Sequence, residues 1–283
     1  MKYGLVLEGG AMRGMFTAGV TDVLMENGIK FDGAAGVSAG AVFGCNYKSW
    51  QPGRTIRYNT RFAHDKRYCS KRSLICSGNL YNAEFCYHVV PKKLDVFDFE
   101  TYEKSPMAFY IVCTDVETGR PVYFNCHKMD DRGLEWMRGS ASLPFVSKIV
   151  EVDGRKLLDG GISDSIPLRF MEKNGYDKNI VVLTRPRDYK KSPAKMKGLM
   201  RTALKKYPEL VRAIEKRPAM YNSQLEYIRN SEKEGRALVI APDEPLPLKR
   251  VEHDPDKLRE AYRFGRLAAK EKLQEIKMFL DIK

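Results

Sequence analysis

Ser38 is the residue whose surroundings point most directly to covalent chemistry. It lies within residues 36–40 (GVSAG), a G-x-S-x-G pattern that follows an apolar stretch at 31–35 and precedes a helical pattern from Ala41. On a sharp strand-to-helix turn the serine hydroxyl is exposed, and the flanking glycines avoid clashes in the tight bend. The following helix directs free N–H groups at the turn, where they stabilise negative charge. The pattern therefore predicts a nucleophile, with a chance match in a loop as the alternative.

A glycine-rich loop near the N-terminus could serve such a nucleophile. Residues 8–14 (EGGAMRG) follow an apolar run at 3–7, which predicts a strand, and precede a helical pattern that ends at Asn27-Gly28. The loop fits neither the dinucleotide fingerprint G-x-G-x-x-G nor a P-loop, which needs Lys and then Ser or Thr after the last glycine. An oxyanion hole fits better, because acyl transfer needs amide donors where the tetrahedral oxygen becomes charged. The candidate donors are the amides of Gly9, Gly10, Ala11 and Ala39.

The base that would activate the serine is harder to find. The chain has four histidines, and none stands in a suggestive context; they are His64, His88, His127 and His253. The G-x-S-x-G pattern also follows only one earlier strand, which argues against the usual α/β-hydrolase triad. Asp159 is the better candidate, because an apolar run at 157–158 ends in this acid and two glycines. A carboxylate has a low pKa for a base, so burial would have to raise it. A plain Asp-Gly turn is the alternative.

Taken together, these segments resemble the patatin-like family of lipid acyl hydrolases. They stand in the family's order: residues 9–14 (GGAMRG), 36–40 (GVSAG), 141–144 (ASLP) and 159–161 (DGG), with 114–119 (TDVETG) as a further similar segment. The resemblance spans about residues 3–167. It implies an α/β fold, with a three-layer α/β/α core around a mainly parallel central sheet and a C-terminal helical extension.

The resemblance also implies the roles of the site residues. Ser38 would be the nucleophile and Asp159 the base, with no histidine, metal or cofactor in the reaction. Supporting positions in the motifs are Arg13, Gly14, Gly36, Gly40, Gly160 and Gly161. Arg13 is expected to brace the oxyanion loop or to contact an anionic headgroup. One position departs from the family pattern, because Ala11 replaces the third glycine of the loop and its Cβ restricts φ.

Apolar runs and helical patterns alternate along the first two thirds of the chain. Beyond the run at 3–7, strands are predicted at 107–114, 121–125, 146–152, 156–158, 180–184 and 237–241, with a hairpin turn at 152–155. We expect a catalytic core at 1–185 and a mainly helical, basic extension at 186–283. A last helix is predicted from the N-cap Asp254, and its apolar stripe would pack on the core or, less simply, on a partner.

The 283 residues carry a net charge of +13, concentrated at 185–217, where twelve Lys or Arg accompany three Asp or Glu. This segment is predicted to be an interfacial basic helix that contacts anionic lipid, or else a solvated face. Nucleic acid is not an expected partner, because no binding motif accompanies the charge. Six cysteines without C-x-x-C spacing and the lack of a signal-peptide pattern predict a cytoplasmic protein, peripheral at the inner face of the membrane if the segment binds lipid.

The sequence thus predicts a serine acyl hydrolase that acts on fatty-acyl esters of phospholipids or other lipids through Ser38 and Asp159. The alternative is a non-catalytic lipid- or phosphate-binding module with the same fold and a basic surface. Headgroup, chain length, the choice between phospholipid and neutral ester, and oligomeric state are left open by the sequence.

Overall fold

In the described part of the chain, the fold is built on a sheet of eight strands. The computed structural model describes residues 1–192 and 201–282. The strands are β1 (Tyr3–Leu7), β2 (Gly33–Val37), β3 (Ala108–Asp115), β4 (Pro121–Asn125), β5 (Val150–Val152), β6 (Arg155–Asp159), β7 (Lys178–Val182) and β8 (Ala237–Ile240). They are ordered β5-β6-β3-β2-β1-β7-β8, with β4 paired to β3. Neighbouring strands in the series β3-β2-β1-β7-β8 pair in parallel. The pairs β3–β4, β3–β6 and β5–β6 are antiparallel.

Helices connect these strands. They are α1 (Gly14–Glu26), α2 (Ala39–Lys48), α3 (Arg54–Arg61), α4 (Lys71–Ser77), α5 (Phe99–Lys104), α6 (Asp131–Ser140), α7 (Leu168–Lys173), α8 (Pro208–Lys233), α9 (Pro255–Glu271) and α10 (Leu273–Phe279). A wider π-type helix spans Phe85–Leu94, and single 3₁₀ turns span Ala11–Arg13 and Gly160–Ile162.

Both faces of the sheet are covered, because successive side chains of a strand point in opposite directions. In β1, Leu5 and Leu7 join the apolar cluster that contains the buried side of α1, α2 and α9. Val6, between them, joins a second cluster with residues of α7 and α8. The result is helices, sheet and helices in three layers, and the predicted α/β fold with a mainly parallel central sheet is confirmed.

Element boundaries differ most from the sequence prediction in two places, and the strand predicted at 180–184 is shifted by two residues, to Lys178–Val182. The strand predicted at 146–152 is confined to Val150–Val152, because residues 143–148 form a loop whose Val146 carbonyl accepts from the Leu80 amide. The predicted C-terminal helix does begin at Asp254, whose carboxylate accepts from the amides of Asp256 and Lys257. Its apolar stripe, however, is divided between α9 and α10, with Lys272 at the junction.

The C-terminal part of the chain contributes to the same sheet, because β8 pairs in parallel with β7 and aligns Ala237 with Asn179. Part of the predicted basic helical segment, residues 193–200, lies outside the described residues. Among the helices of the described ranges, none is both long enough and apolar enough to cross a bilayer.

Candidate active site

Ser38 occupies a strained turn between β2 and α2. Its φ of 54° and ψ of −122° lie in a region that residues with a side chain rarely adopt. The turn is held by its own hydrogen bonds: the Ser38 amide donates to Ser140 Oγ at 2.9 Å, and its carbonyl accepts from the amides of Ala41 and Val42 at 3.0 Å. Strain of this kind persists only where the surroundings fix it, and it is typical of functional sites.

The glycines on either side of Ser38 allow the turn to pack directly on the end of β1. A Cβ on Gly40 would lie 2.3 Å from the carbonyl oxygen of Leu7, and one on Gly36 would lie 2.6 Å from the carbonyl oxygen of Gly40. Both contacts are with backbone atoms, which cannot move aside as a flexible side chain could. The G-x-S-x-G spacing therefore has a steric cause in this fold.

Asp159 lies at the end of β6 and is 2% exposed. One carboxylate oxygen accepts from the Gly161 amide at 2.7 Å, and the Ser38 side chain also hydrogen-bonds to the carboxylate. Burial raises the pKa of Asp159, while the positive charge of Arg217 and the hydrogen bonds from Ser38 and Gly161 lower it. Since burial is the larger effect, the net pKa lies above the usual value of an aspartate, and the carboxylate is a stronger base.

A short segment at the end of α6 positions both residues. Ser140 Oγ accepts from the Ser38 amide and donates to the Val112 carbonyl at 2.6 Å, and the Ser142 carbonyl accepts from the Asp159 amide at 2.8 Å. The ASLP motif at 141–144 is thus part of a bridge between the two candidate catalytic residues.

Thr114, in the segment 114–119 that also resembles the family, supports Asp159 from the other side. Its hydroxyl donates to the Asp159 carbonyl at 2.8 Å. Asp115, next along the chain, accepts from the amides of Glu117 and Thr118 and so closes the turn that leads to β4. This segment fixes the backbone at Asp159 and does not reach the carboxylate.

The predicted oxyanion loop lies against Ser38. Gly9, Gly10 and Ala11 line the same cavity as Ser38 and Asp159, and Ala39 is the first residue of α2. Within residues 1–192 and 201–282, no turn or loop hydrogen bond uses the amide of any of these four residues. Ala11 has a φ of 49°, the left-handed conformation that favours glycine. Ala11 therefore holds a backbone conformation that costs a residue with a Cβ about 1 to 2 kcal/mol.

Two cavities meet at Ser38. The larger has a volume of about 290 Å³, near the lower end of the roughly 300 to 1,000 Å³ typical of small-molecule sites. Its lining is mostly apolar and includes Val42, Phe43, Leu80, Val90, Met129 and Leu134. The smaller cavity, of about 80 Å³, is polar and contains Asp159 and the oxyanion loop. An apolar acyl chain fits the first cavity and a charged group the second.

No histidine in the described ranges lines either cavity. The Nδ1 atom of His253 lies 2.8 Å from the Ala63 carbonyl, and that of His88 lies 3.7 Å from Asp131. Arg13, predicted as a supporting residue, does line the smaller cavity, and its Nε is buried without a hydrogen-bond partner. The predicted site residues from the loop, the serine turn and the DGG segment thus come together in one place.

Arg217 is one of the residues of this site that sequence reasoning missed. It extends from α8, and its Nη2 would lie 3.1 Å from a Cβ placed on Gly161. It lowers the pKa of Asp159, and it lines the smaller cavity. In the sequence, Arg217 is recognisable only as a member of the basic segment at 185–217. That segment was interpreted as a surface feature.

The chain is similar to known proteins over most of its length. The family model described as patatin-like phospholipase matches residues 5–171, more than half of the chain, and a model described as a domain of unknown function matches residues 207–281. The uncharacterized protein YjjU of Escherichia coli (strain K12) is 28% identical over 95% of this chain and 76% of its own length.

Other relatives match mainly the N-terminal part. The uncharacterized NTE family protein Mb1092c of Mycobacterium bovis is 30% identical over 59% of this chain and 44% of its own length. Neuropathy target esterase sws of Drosophila melanogaster is 28% identical over 61% of this chain, which spans 12% of the fly protein. The extent of the family match shows that this chain belongs to the patatin-like phospholipase family, and at the level of that family its function is lipid hydrolysis.

Proposed function

We propose that this protein is a serine acyl hydrolase that cleaves fatty-acyl esters of lipids through Ser38 and Asp159. One observation carries the proposal: Ser38, on a strained turn, is paired with the buried carboxylate of Asp159. The two side chains are hydrogen-bonded, and burial raises the pKa of Asp159. The names of the relatives, among them an esterase, support the same class of reaction.

In the proposed mechanism, Asp159 takes the proton of the Ser38 hydroxyl as Oγ bonds to the ester carbonyl carbon. The carbonyl oxygen becomes negatively charged and accepts hydrogen bonds from the amides of the oxyanion loop and of Ala39. The ester C–O bond then breaks, and the proton passes from Asp159 to the leaving alcohol. Water loses a proton to Asp159 as it attacks the acyl-enzyme, and Ser38 recovers that proton when the fatty acid leaves.

The two cavities suggest how a lipid would lie in the site. The apolar cavity starts at Ser38 and is the natural place for the acyl chain, since it removes methylene groups from water. The polar cavity also borders Ser38, and we expect the alcohol portion of the ester to lie there and to leave from it.

The experiment is hydrolysis of p-nitrophenyl esters of increasing chain length by the full chain and by Ser38→Ala. We expect turnover by the natural protein, with kcat/KM rising as the chain fills the apolar cavity, and none above background for the variant. A second buried serine away from the site, Ser231, offers the matched control Ser231→Ala.

The alternative is a lipid- or phosphate-binding module without catalysis, which the cationic polar cavity would also suit. It predicts lipid binding by both the natural protein and Ser38→Ala, and ester turnover by neither. Turnover that persists fully in Ser38→Ala would refute the serine mechanism itself.

We also propose that the protein works at an anionic lipid surface through the basic segment at 185–217, on the cytoplasmic side of the membrane. Exposed charges are screened over about 8 Å at physiological ionic strength. Vesicle binding should therefore weaken as salt is raised, and binding that does not depend on salt would argue for another mode of attachment.

A further inference from the structure

The smaller cavity beside Ser38 contains more positive charge than the proposed hydrolysis needs. Five cationic side chains line its volume of about 80 Å³: Arg13, Arg185, Lys191, Arg217 and Arg250. Among the residues that the structure describes, two carboxylates line it with them, those of Glu8 and Asp159. Like charges so close together repel one another, which destabilises the folded protein. The cluster therefore calls for a functional explanation.

These cations lack carboxylate partners. In the part of the chain that the structure describes, none of the five forms a salt bridge. The Nε atoms of Arg13 and Arg217 are buried and have no hydrogen-bond partner. Buried polar groups are nearly always satisfied by protein, water or ligand, so these two guanidinium groups favour an anionic partner in the cavity that they line.

Glu8 offsets only part of the positive charge: it raises the pKa of Arg13 and Lys191, but its oxygens accept hydrogen bonds from other groups. One accepts from the Tyr221 hydroxyl at 2.7 Å, and the other accepts from the amide and the hydroxyl of Thr184 at 2.5 and 3.1 Å. The carboxylate of Asp159 accepts from Gly161 and Ser38. Both acids thus serve the local structure or the dyad, and the cavity keeps an excess of positive charge.

Two of the cationic side chains also lie over aromatic rings. Lys191 Nζ lies 4.2 Å from the centroid of Tyr221, and the guanidinium of Arg185 lies 4.7 Å from that of Tyr189. The Lys191 backbone is fixed to Asn222, whose Oδ1 accepts its amide at 2.9 Å. A site whose donors are already oriented loses less entropy when it binds a ligand.

The charge state of the cluster agrees with an anionic ligand. Burial lowers the pKa of Lys191 to about 8, and Arg217 adds to this effect by repulsion. Burial and then Arg185 lower the pKa of Arg13. The protonated forms of Lys191 and Arg13 are therefore less stable in the cavity than in water. A bound anion would stabilise both protonated forms and raise their pKa values again.

We propose that this cavity binds the phosphate of the lipid headgroup and selects a compact head, a phosphate monoester, over a zwitterionic head such as phosphocholine. This proposal rests on the proposed function, since the head must enter while the ester lies at Ser38. A monoester carries up to two negative charges and three oxygens that can accept from the guanidinium groups. A quaternary ammonium group would instead bring a further positive charge into a small cationic cavity.

The test compares three lipids with identical acyl chains: a diacylglycerol 3-phosphate, a phosphatidylcholine and a diacylglycerol. Each is presented in micelles with a constant excess of an anionic amphiphile that has no ester, so that surface charge is the same for all. For the natural protein we expect kcat/KM at least about tenfold higher for the phosphate monoester than for the other two, since charge-assisted hydrogen bonds are the strong ones.

The variants are Lys191→Gln and Arg185→Gln, with Lys190→Gln as the matched control. Lys190 is exposed, adjoins Lys191 and does not line the cavity. We expect each cavity variant to lower the ratio of monoester to phosphatidylcholine hydrolysis by about tenfold, whereas Lys190→Gln keeps the ratio of the natural protein.

A second arm separates a lipid headgroup from a free anion. Inorganic phosphate is titrated into the full chain by calorimetry and as an inhibitor of diacylglycerol 3-phosphate hydrolysis. Competitive inhibition that weakens in Lys191→Gln supports the headgroup site. The headgroup proposal would be overturned in favour of a free-anion site by either of two results. Phosphate could bind without inhibiting lipid hydrolysis competitively, or it could bind while the protein hydrolyses the three lipids without preference.

Failure of this proposal is distinguishable from failure of the hydrolase assignment. Hydrolysis of p-nitrophenyl butyrate, which has no phosphate, reports on Ser38 and Asp159 alone. If that ester is cleaved and the three lipids are cleaved equally, only the headgroup site is wrong. If that ester and all three lipids resist cleavage, the hydrolase assignment is wrong as well, and with it the headgroup proposal.

Discussion

The hydroxyl of Ser140 accepts a hydrogen bond from the amide of Ser38 at 2.9 Å and donates to the carbonyl of Val112 at 2.6 Å. One buried side chain thereby joins the serine turn to the central strand β3. Two residues later, the Ser142 carbonyl accepts the amide of Asp159. The distance between nucleophile and base is therefore set through the segment at the end of α6.

Ser140→Ala should lower both stability and activity. The Ser38 amide and the Val112 carbonyl would each lose a partner, and an unsatisfied buried group costs about 1 to 3 kcal/mol. The strained turn at Ser38 would also lose one of its restraints. We expect a lower free energy of unfolding in denaturant titration and at least about a tenfold loss of kcat for a p-nitrophenyl ester.

The matched control for that change is Ser231→Ala, which removes an equally buried hydroxyl bonded to Glu172 at 3.2 Å. It should lower the free energy of unfolding while leaving kcat unchanged. If the two variants lose kcat equally, Ser140 has no particular role in positioning Ser38.

Ala11→Gly should be tolerated far better than a typical alanine-to-glycine change. The φ of 49° at Ala11 costs an alanine about 1 to 2 kcal/mol, which glycine avoids and which offsets the greater freedom of glycine in the unfolded chain. We expect the free energy of unfolding to stay within about 1 kcal/mol of the original value or to rise.

Ala268→Gly, inside α9, is the comparison, and it should be destabilising by about 0.5 to 1 kcal/mol because its backbone is helical. Denaturant titrations of the two variants side by side provide the measurement. An equal loss at both positions would mean that the backbone at Ala11 is not strained.

Arg217→Gln should move the acid limb of the pH–rate profile to higher pH. Hydrolysis requires the charged carboxylate of Asp159, so activity falls as pH drops through its pKa. Arg217 lowers that pKa, and its loss raises it, so activity should be lost at a higher pH than in the natural protein. The measurement is kcat/KM for p-nitrophenyl butyrate between pH 4 and 9.

Lys216→Gln is the control for that profile, because Lys216 is the exposed neighbour of Arg217 on α8. Its acid limb should coincide with that of the natural protein. An unmoved acid limb in Arg217→Gln would show that the guanidinium does not act on Asp159.

Asp22 provides a test of the core away from the site. Burial raises its pKa to about 6, although its carboxylate accepts from Tyr262 and Gly53. Because the folded pKa lies above the unfolded value near 4, this group favours folding at low pH. This contribution to the free energy of unfolding is lost as pH rises from about 4 to 6. The loss amounts to about 2 to 3 kcal/mol.

Asp22→Asn removes the titration and can keep both hydrogen bonds through its amide oxygen. The free energy of unfolding of the variant, relative to the natural protein, should therefore be higher at pH 7.5 than at pH 4.5. Denaturant titrations at the two pH values measure this difference, and a difference that is independent of pH would argue against a raised pKa.

The sequence predicted the parts of the fold that depend on neighbours in the chain. The turn at Ser38 was predictable because its glycines are adjacent to it and because a Cβ on Gly40 would meet the backbone of β1. The N-cap at Asp254 was predictable for the same reason, since its carboxylate binds amides two and three residues away.

The parts that were missed depend on contacts between distant segments. Arg217 reaches Asp159 only because α8 packs beside the 3₁₀ turn at Gly160–Ile162, and no spacing in the sequence encodes that approach. Lys191 gave no signal beyond its charge, because its position over Tyr221 arises from tertiary packing. The predicted strand at 146–152 was too long, because Val146 lines the apolar cavity and its carbonyl bonds to the distant Leu80 amide instead of to a neighbouring strand.

The most direct test of the account is the rate at which a fluorophosphonate labels Ser38 in the natural protein and in Asp159→Asn, followed by intact mass and peptide mapping. We expect a single label at Ser38, formed at least about a hundredfold more slowly in the variant, because loss of a general base typically costs that much. Replacement of each of the four histidines should leave the rate unchanged. The Ser38–Asp159 dyad would be contradicted if Asp159→Asn were labelled at the rate of the natural protein. It would also be contradicted if replacing one histidine abolished the labelling.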